Sequence, residues 1–213
     1  MQEKVDHSNL IAQPEQEDFK GKYENNSFIA KYLIDGYFEA VRDLISKINI
    51  STAHEIGAGE GFSTMRLKHM VSHLTASEYV DALLTNTKAN NPDIEIAQES
   101  VYDVKLDDES VDLVFLLEVL EHLDHPEVAL SEIKRVTNKY LILGVPREPL
   151  WRLLNMSRLK YLSDFGNTPG HLNHWSKTTL VKFIENNFGK VIAIKTPLPW
   201  IIVLAEKQKE EIL

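Results

Sequence analysis

Apolar positions along this chain keep two rhythms. From Ser27 to Ile48, the residues Phe28, Ile29, Tyr32, Leu33, Tyr37, Phe38, Val41, Leu44, Ile45 and Ile48 return every three or four positions, the spacing that gathers them on one face of a helix. Gly36 is the one weak point, so the stretch predicts one or two amphipathic helices. Beyond it the apolar residues fall into short runs: Thr52 to Ile56, Leu74 to Ser77, Ile94 to Ala97, Val111 to Leu117, Tyr140 to Val145, Val191 to Ile194 and Ile201 to Ala205. Helix-like stretches at Ser63 to Val71, Tyr79 to Ala89, Pro126 to Val136 and Lys177 to Asn187 separate most of them. Strand and helix alternating over such distances build right-handed β-α-β units and a mostly parallel sheet. The last two runs break the alternation. Only Thr196-Pro197-Leu198-Pro199-Trp200 joins them, too short for a parallel crossover, so they are expected to pair antiparallel with the prolines shaping the hairpin.

Ahead of these elements the first 27 residues are polar and acidic. Residues 1–26 are expected to be mobile, and residues 27–213 to form a single domain with an N-terminal helical lid. No apolar stretch near the N-terminus has the character of a secretory signal, and no run elsewhere approaches the roughly 20 residues of a membrane-spanning helix. A soluble, cytoplasmic protein without a membrane partner is expected. The net charge of -9 argues against a nucleic-acid partner, whose affinity rests on clustered Lys and Arg. The absence of cysteine excludes disulfides, a thiolate nucleophile and Cys-ligated zinc.

The chemistry begins at Glu55-Ile56-Gly57-Ala58-Gly59-Glu60-Gly61, which ends one strand and opens a helix. Glycines there let the backbone turn tightly and approach a ligand. The spacing is G-x-G-x-G, not the G-x-G-x-x-G of dinucleotide binders, and Glu55 and Glu60 put negative charge beside the loop, which suits a cationic ligand better than a pyrophosphate. Glu78 closes the second strand, where a Rossmann-type sheet holds ribose hydroxyls. The third strand runs into Gln98-Glu99-Ser100-Val101-Tyr102-Asp103 at the same edge.

Taken together, Glu55 to Gly61, Glu78, the stretch Asp107 to Val114 and Glu118-Val119-Leu120-Glu121-His122-Leu123 resemble the class I S-adenosylmethionine-dependent methyltransferases of the type 11 and type 23 groups, over roughly Thr52 to Glu206. The resemblance implies a Rossmann-like α/β fold: a seven-stranded, mostly parallel sheet of order 3-2-1-4-5-7-6, a C-terminal antiparallel hairpin, and helices on both faces. This agrees with the strand pattern read independently above. It also implies S-adenosyl-L-methionine as cofactor. The segment from Glu55 through Ile56, Gly57, Ala58, Gly59 and Gly61 would hold it, with the glycines under the methionine part and Glu55 near its amine. Glu78 would take the ribose hydroxyls, Ser100 and Val101 the adenine, and Glu118 another part of the pocket wall. Relatives commonly carry an Asp at the adenine, and Asp103 serves there if the register shifts slightly. Tyr23 is a candidate to close over the cofactor.

Glu118, Glu121 and His122 stand at i, i+3 and i+4 on the same edge, where two carboxylates and an imidazole can move a proton or bind a metal. Further on, His171-Leu172-Asn173-His174-Trp175-Ser176 reads as a loop over the sheet edge that Ser176 ends by capping a helix. His122 and His174 are the candidate proton acceptors, and His171, Trp175 and Arg147 the candidate substrate contacts; Arg147, with Arg152 and Arg158, equally suits surface ion pairs. No metal is expected. The reading is methyl transfer to a small-molecule acceptor, most readily at oxygen. Its alternatives are a metal-assisted RNA 2′-O-methyltransferase using Glu118, Glu121, His122 and His171 or His174, and a noncatalytic scaffold of the same fold.

Overall fold

The computed structural model describes Val5, Leu10, Ile11 and residues 28–208; Tyr23 and most of residues 1–26 lie outside them. The amphipathic stretch is one helix, α1 (Phe28–Ile45), running unbroken through Gly36 and burying Tyr37, Phe38, Val41 and Leu44. Then come β1 (Thr52–Ile56), α2 (Phe62–Leu67), β2 (His73–Glu78), α3 (Asp81–Asn90), β3 (Glu95–Gln98), β4 (Val111–Leu117), α4 (Pro126–Val136), β5 (Thr137–Pro146), α5 (Leu150–Ser157), α6 (Lys177–Asn187), β6 (Gly189–Lys195) and β7 (Trp200–Lys207). The strands form one sheet of order β3-β2-β1-β4-β5-β7-β6. Its first four pairings are parallel, and β7 pairs antiparallel with β5 and, as the short 196–200 link requires, with β6.

β4 shows why such a sheet is covered on both faces. Every residue from Val111 to Leu117 is buried, and from Leu113 onward the side chains divide by parity: Val114 and Leu116 join one apolar cluster with α4 and α6, while Leu113, Phe115 and Leu117 join another with α1. Successive strand side chains point to opposite faces, so a continuous apolar run marks a strand with a helix layer on each side. Phe115 has no exposed surface; its truncation to Ala costs about 3–5 kcal/mol.

The elements differ from the sequence expectation at several boundaries and by one added helix. α2 stops at Leu67 instead of Val71. α3 begins at Asp81, because the Glu78 carboxylate accepts the Val80 N–H at 2.8 Å and holds the preceding residues in an extended turn. α5 was not expected at all. Among the described residues, no helix is long and apolar enough to cross a membrane.

Candidate active site

The parallel strands β1, β2 and β4 end at one edge, and the turns leaving them build a pocket. After β1, the Gly57 and Ala58 N–H groups both donate to the Ser77 carbonyl, at 2.9 and 3.0 Å, which pins the glycine turn to the end of β2. Gly57, Gly59 and Gly61 all have positive φ, a region costly for residues with a Cβ. At Gly57 an added Cβ would stand 2.5 Å from Cγ2 of Val119, so the bare backbone is what keeps this wall open. From behind, α3 braces the turn: the Thr87 hydroxyl donates to the Gly59 carbonyl and the Asn91 amide to that of Gly61, at 3.0 Å.

Glu78 is nearly buried and lines the pocket. Its two oxygens accept from the N–H groups of Gly59 (2.7 Å) and Val80 (2.8 Å), so it joins the two loops it lies between. Burial pushes its carboxyl above the usual range, and the N–H groups of Val80, Gly59 and Tyr79 restrain the rise. Next to it, Glu99 accepts the Lys105 N–H at 2.8 Å and faces the buried His54 ring at 3.5 Å. Burial raises this carboxyl, but His54, Lys105 and Ser77 together outweigh burial and leave it below the usual range. Ser100 and Val101 reach the same wall, joined by Tyr102. Asp103, the alternative to them, is exposed and paired with Lys105.

On the β4 side, Glu118 holds a positive φ of 61°, donates its N–H to the Gly144 carbonyl at 2.9 Å, and accepts the Trp200 indole N–H, also at 2.9 Å. A short 3₁₀ turn, Leu120–His122, follows. His122 reaches the pocket with its Nδ1 at 3.0 Å from the Gly170 carbonyl. A carbonyl only accepts, so Nδ1 carries a proton, and in the neutral ring the lone pair is on Nε2.

Of the residues expected at the cofactor, Ile56, Gly57, Gly59, Glu78, Ser100, Val101 and Glu118 line this pocket. Glu55, Ala58 and Gly61 do not. Glu55 is buried behind the turn, accepting the Thr64 hydroxyl at 2.6 Å; Ala58 is buried in a small cluster with Ala76 and Leu84; Gly61 packs on Thr87 and Asn91. On the acceptor side only His122 is in the wall. His171 is buried beside it, ring centroids 4.9 Å apart, and His174 is exposed with Nε2 2.7 Å from Asn167. Trp175 packs on Phe183, and Arg147 is exposed. Sequence reasoning missed Leu10, Tyr79, Val80, Leu83, Glu99, Tyr102, Val119 and Leu123 as wall residues; Glu99, Tyr102, Val119 and Leu123 lie inside stretches already singled out, and the others carried no readable signal.

The wall thus presents three carboxylates, Glu78, Glu99 and Glu118, and no Lys or Arg among its described lining residues. That donor set fits a ligand with hydroxyls and positive charge, and it does not fit a pyrophosphate. The bare glycine turn and the buried Glu78 therefore fit S-adenosylmethionine.

Comparison with known proteins agrees. Residues 54–142 match the family model described as a methyltransferase domain. Among curated proteins, none matches the sequence significantly. Solved structures share the fold: an S-adenosylmethionine-dependent methyltransferase from Aquifex aeolicus (17% identity, TM-score 0.64, covering 80% of this chain and 89% of that one); magnesium protoporphyrin IX methyltransferase from Synechocystis with bound S-adenosylhomocysteine (13%, 0.63, 85% and 88%); and a Haloferax volcanii complex between the Trm112 methyltransferase activator and a methyltransferase (13%, 0.64, 84% and 97%). With its sheet order and glycine turn of the class I fold, this chain carries over residues 54–142 a methyltransferase domain of the type 11 group, with S-adenosylmethionine as its cofactor.

Proposed function

We propose that this enzyme methylates an oxygen of a small-molecule acceptor held at the His122 end of the pocket, in the cytoplasm. The observation that carries the reading is the placement of His122: the one imidazole among the described lining residues, whose neutral ring has its Nε2 lone pair set by the Nδ1 contact to Gly170. The cofactor supplies a methyl group on a positively charged sulfonium, already a good leaving group, so the protein's work is alignment, exclusion of water and care of the acceptor's proton. Glu78 and the glycine turn hold the ligand's polar groups, and Tyr102, Val119 and Leu123 shield it with apolar surface. His122 accepts the proton that an acceptor hydroxyl gives up as its oxygen takes the methyl. The acidic wall and the net charge of -9 favour a small acceptor over an RNA chain.

The test is calorimetric titration with S-adenosylhomocysteine and with NAD, followed by transfer of labelled methyl to a panel of hydroxyl and amine acceptors by wild type and His122→Asn. Micromolar binding of the first ligand only, with transfer to hydroxyls that falls at least 100-fold in the variant, is expected. Absence of S-adenosylhomocysteine binding overturns the enzyme reading; transfer unaffected in the variant, or confined to amines, overturns the role given to His122.

A further inference from the structure

We infer that Glu121, His122 and His171 form a binding site for one divalent transition-metal ion at the acceptor end of the pocket. Each offers a donor atom, and the three atoms lie within 4.8 Å of one another; the Glu121 carboxylate and Nε2 of His122 are 4.0 Å apart. All three residues are at least nine-tenths buried. An ion ligated at about 2.1 Å draws its donors to roughly 3–3.5 Å apart, so closure needs only small side-chain rotations. Glu118 and His174, which the sequence placed as further candidates, stand apart from the group: Glu118 is held by Trp200 and His174 by Asn167.

The group is built, not accidental, because the loop carrying His171 is stitched to the turn carrying the other two. The Leu172 and Asn173 N–H groups both donate to the Glu121 carbonyl, at 2.8 and 2.9 Å. The Asn173 amide donates to the carbonyls of Leu120 (3.3 Å) and Leu123 (2.7 Å). Nδ1 of His122 donates to Gly170, one residue before His171, the outer contact that orients a ligating imidazole and turns its Nε2 inward. Trp151 stacks on the other side of His171, centroids 6.1 Å apart.

Two imidazoles and one carboxylate select zinc, cobalt, nickel, iron or manganese over magnesium or calcium, which prefer oxygen donors. Three protein ligands leave coordination positions open. The site rests on this geometry alone. Its part in the reaction rests on the function proposed above: with an ion bound, His122 would serve as its ligand, an acceptor hydroxyl on the ion would lose its proton to solvent more readily, and His122 would take that proton itself only where no ion is held.

Protein stripped with EDTA and titrated with Zn²⁺ is expected to take up one ion per chain with micromolar or tighter affinity, and to take up Mg²⁺ at least 100-fold more weakly. His171→Asn and Glu121→Gln should each weaken Zn²⁺ binding at least 100-fold while S-adenosylhomocysteine still binds within threefold, which verifies that the variants are folded. Wild type that binds no stoichiometric Zn²⁺, or variants that retain S-adenosylhomocysteine binding and bind Zn²⁺ as wild type does, overturn the site. Should both substitutions unfold the chain, Co²⁺ added to wild type reports directly: absorption bands of nitrogen- and oxygen-ligated cobalt support the site, and the spectrum of aqueous cobalt overturns it. Zinc binding without S-adenosylhomocysteine binding would leave the site standing and remove the methyltransferase reading.

Discussion

The Trp200 indole N–H donates to the Glu118 carboxylate at 2.9 Å, across 82 positions of sequence. One residue opens the last strand; the other follows directly on β4 with a backbone in the left-handed region, a conformation worth about 1–3 kcal/mol of local strain. The antiparallel hairpin thereby reaches into the pocket wall and holds a carboxylate in place.

Trp200→Phe should keep the ring packing against Tyr37, whose centroid is 5.1 Å away, and remove only the hydrogen bond. A loss of about 1–3 kcal/mol in urea unfolding and a several-fold rise in the Kd for S-adenosylhomocysteine are expected. Equal affinity in the two proteins would mean that Glu118 needs no such support.

Gly57 and Val119 face each other so closely that the pocket depends on the missing side chain. Gly57→Ala puts a Cβ 2.5 Å from Val119 Cγ2 at a φ of +75°, combining overlap with about 1–2 kcal/mol of backbone strain. S-adenosylhomocysteine affinity should fall at least tenfold. Adding Val119→Ala removes the overlap and leaves the strain, so the double variant should recover part of the loss. Calorimetry on both decides the matter: a double variant no better than the single one would place the whole effect in the backbone.

Glu78 ties together Gly59 and Val80, and Glu78→Ala leaves both N–H groups without their acceptor. The expected outcome is a stability loss of about 1–3 kcal/mol together with a 30-fold or greater loss of S-adenosylhomocysteine affinity, read by unfolding and calorimetry on the same preparation. Stability lost with affinity unchanged would make Glu78 a brace only.

How much of this was legible in the sequence depended on the range of the interaction. β4 was found residue for residue because five consecutive apolar residues, Leu113 to Leu117, are short for a helix and sit between polar turn residues, and α6 because Ser176 and Thr179 form a local capping box. Alternation and one short link foretold a mostly parallel sheet with an antiparallel end, while the strand order was implied by the family resemblance. α5 was missed although Leu150 to Ser157 is amphipathic: it is only eight residues long, follows Pro149 with no N-terminal side-chain cap, and buries only Asn155. Within the site, residues of the glycine turn, Glu78 and Glu118 were placed by local motifs. The Thr87 and Asn91 brace behind Gly61, the Trp200 contact and the seating of His171 beside His122 are all long-range, and no local pattern encodes them. Glu55 lies on the far side of the turn from the pocket because its partner, Thr64, belongs to α2.

That burial gives Glu55 a distinct pH dependence. Removal from water is the main effect, opposed by the Ser63 and Thr64 hydroxyls and assisted by the charge of Glu78, and it raises the carboxyl from 4.5 to about 7. Its folded-state pKa is then above its unfolded value, so the folded chain binds the proton more tightly. Between about pH 4.5 and 7 this group makes stability fall as pH rises, by a total of about 3 kcal/mol, with no further change above that window. Glu55→Gln removes the titration while its amide oxygen can still accept from Thr64. The stability of the variant relative to wild type should therefore climb between pH 5 and pH 8, measured by urea unfolding of both proteins in matched buffers, where other titrating groups cancel in the difference. An offset that stays constant over that range would show that Glu55 keeps an ordinary carboxylate pKa, and that solvent or a charged partner reaches it behind the glycine turn.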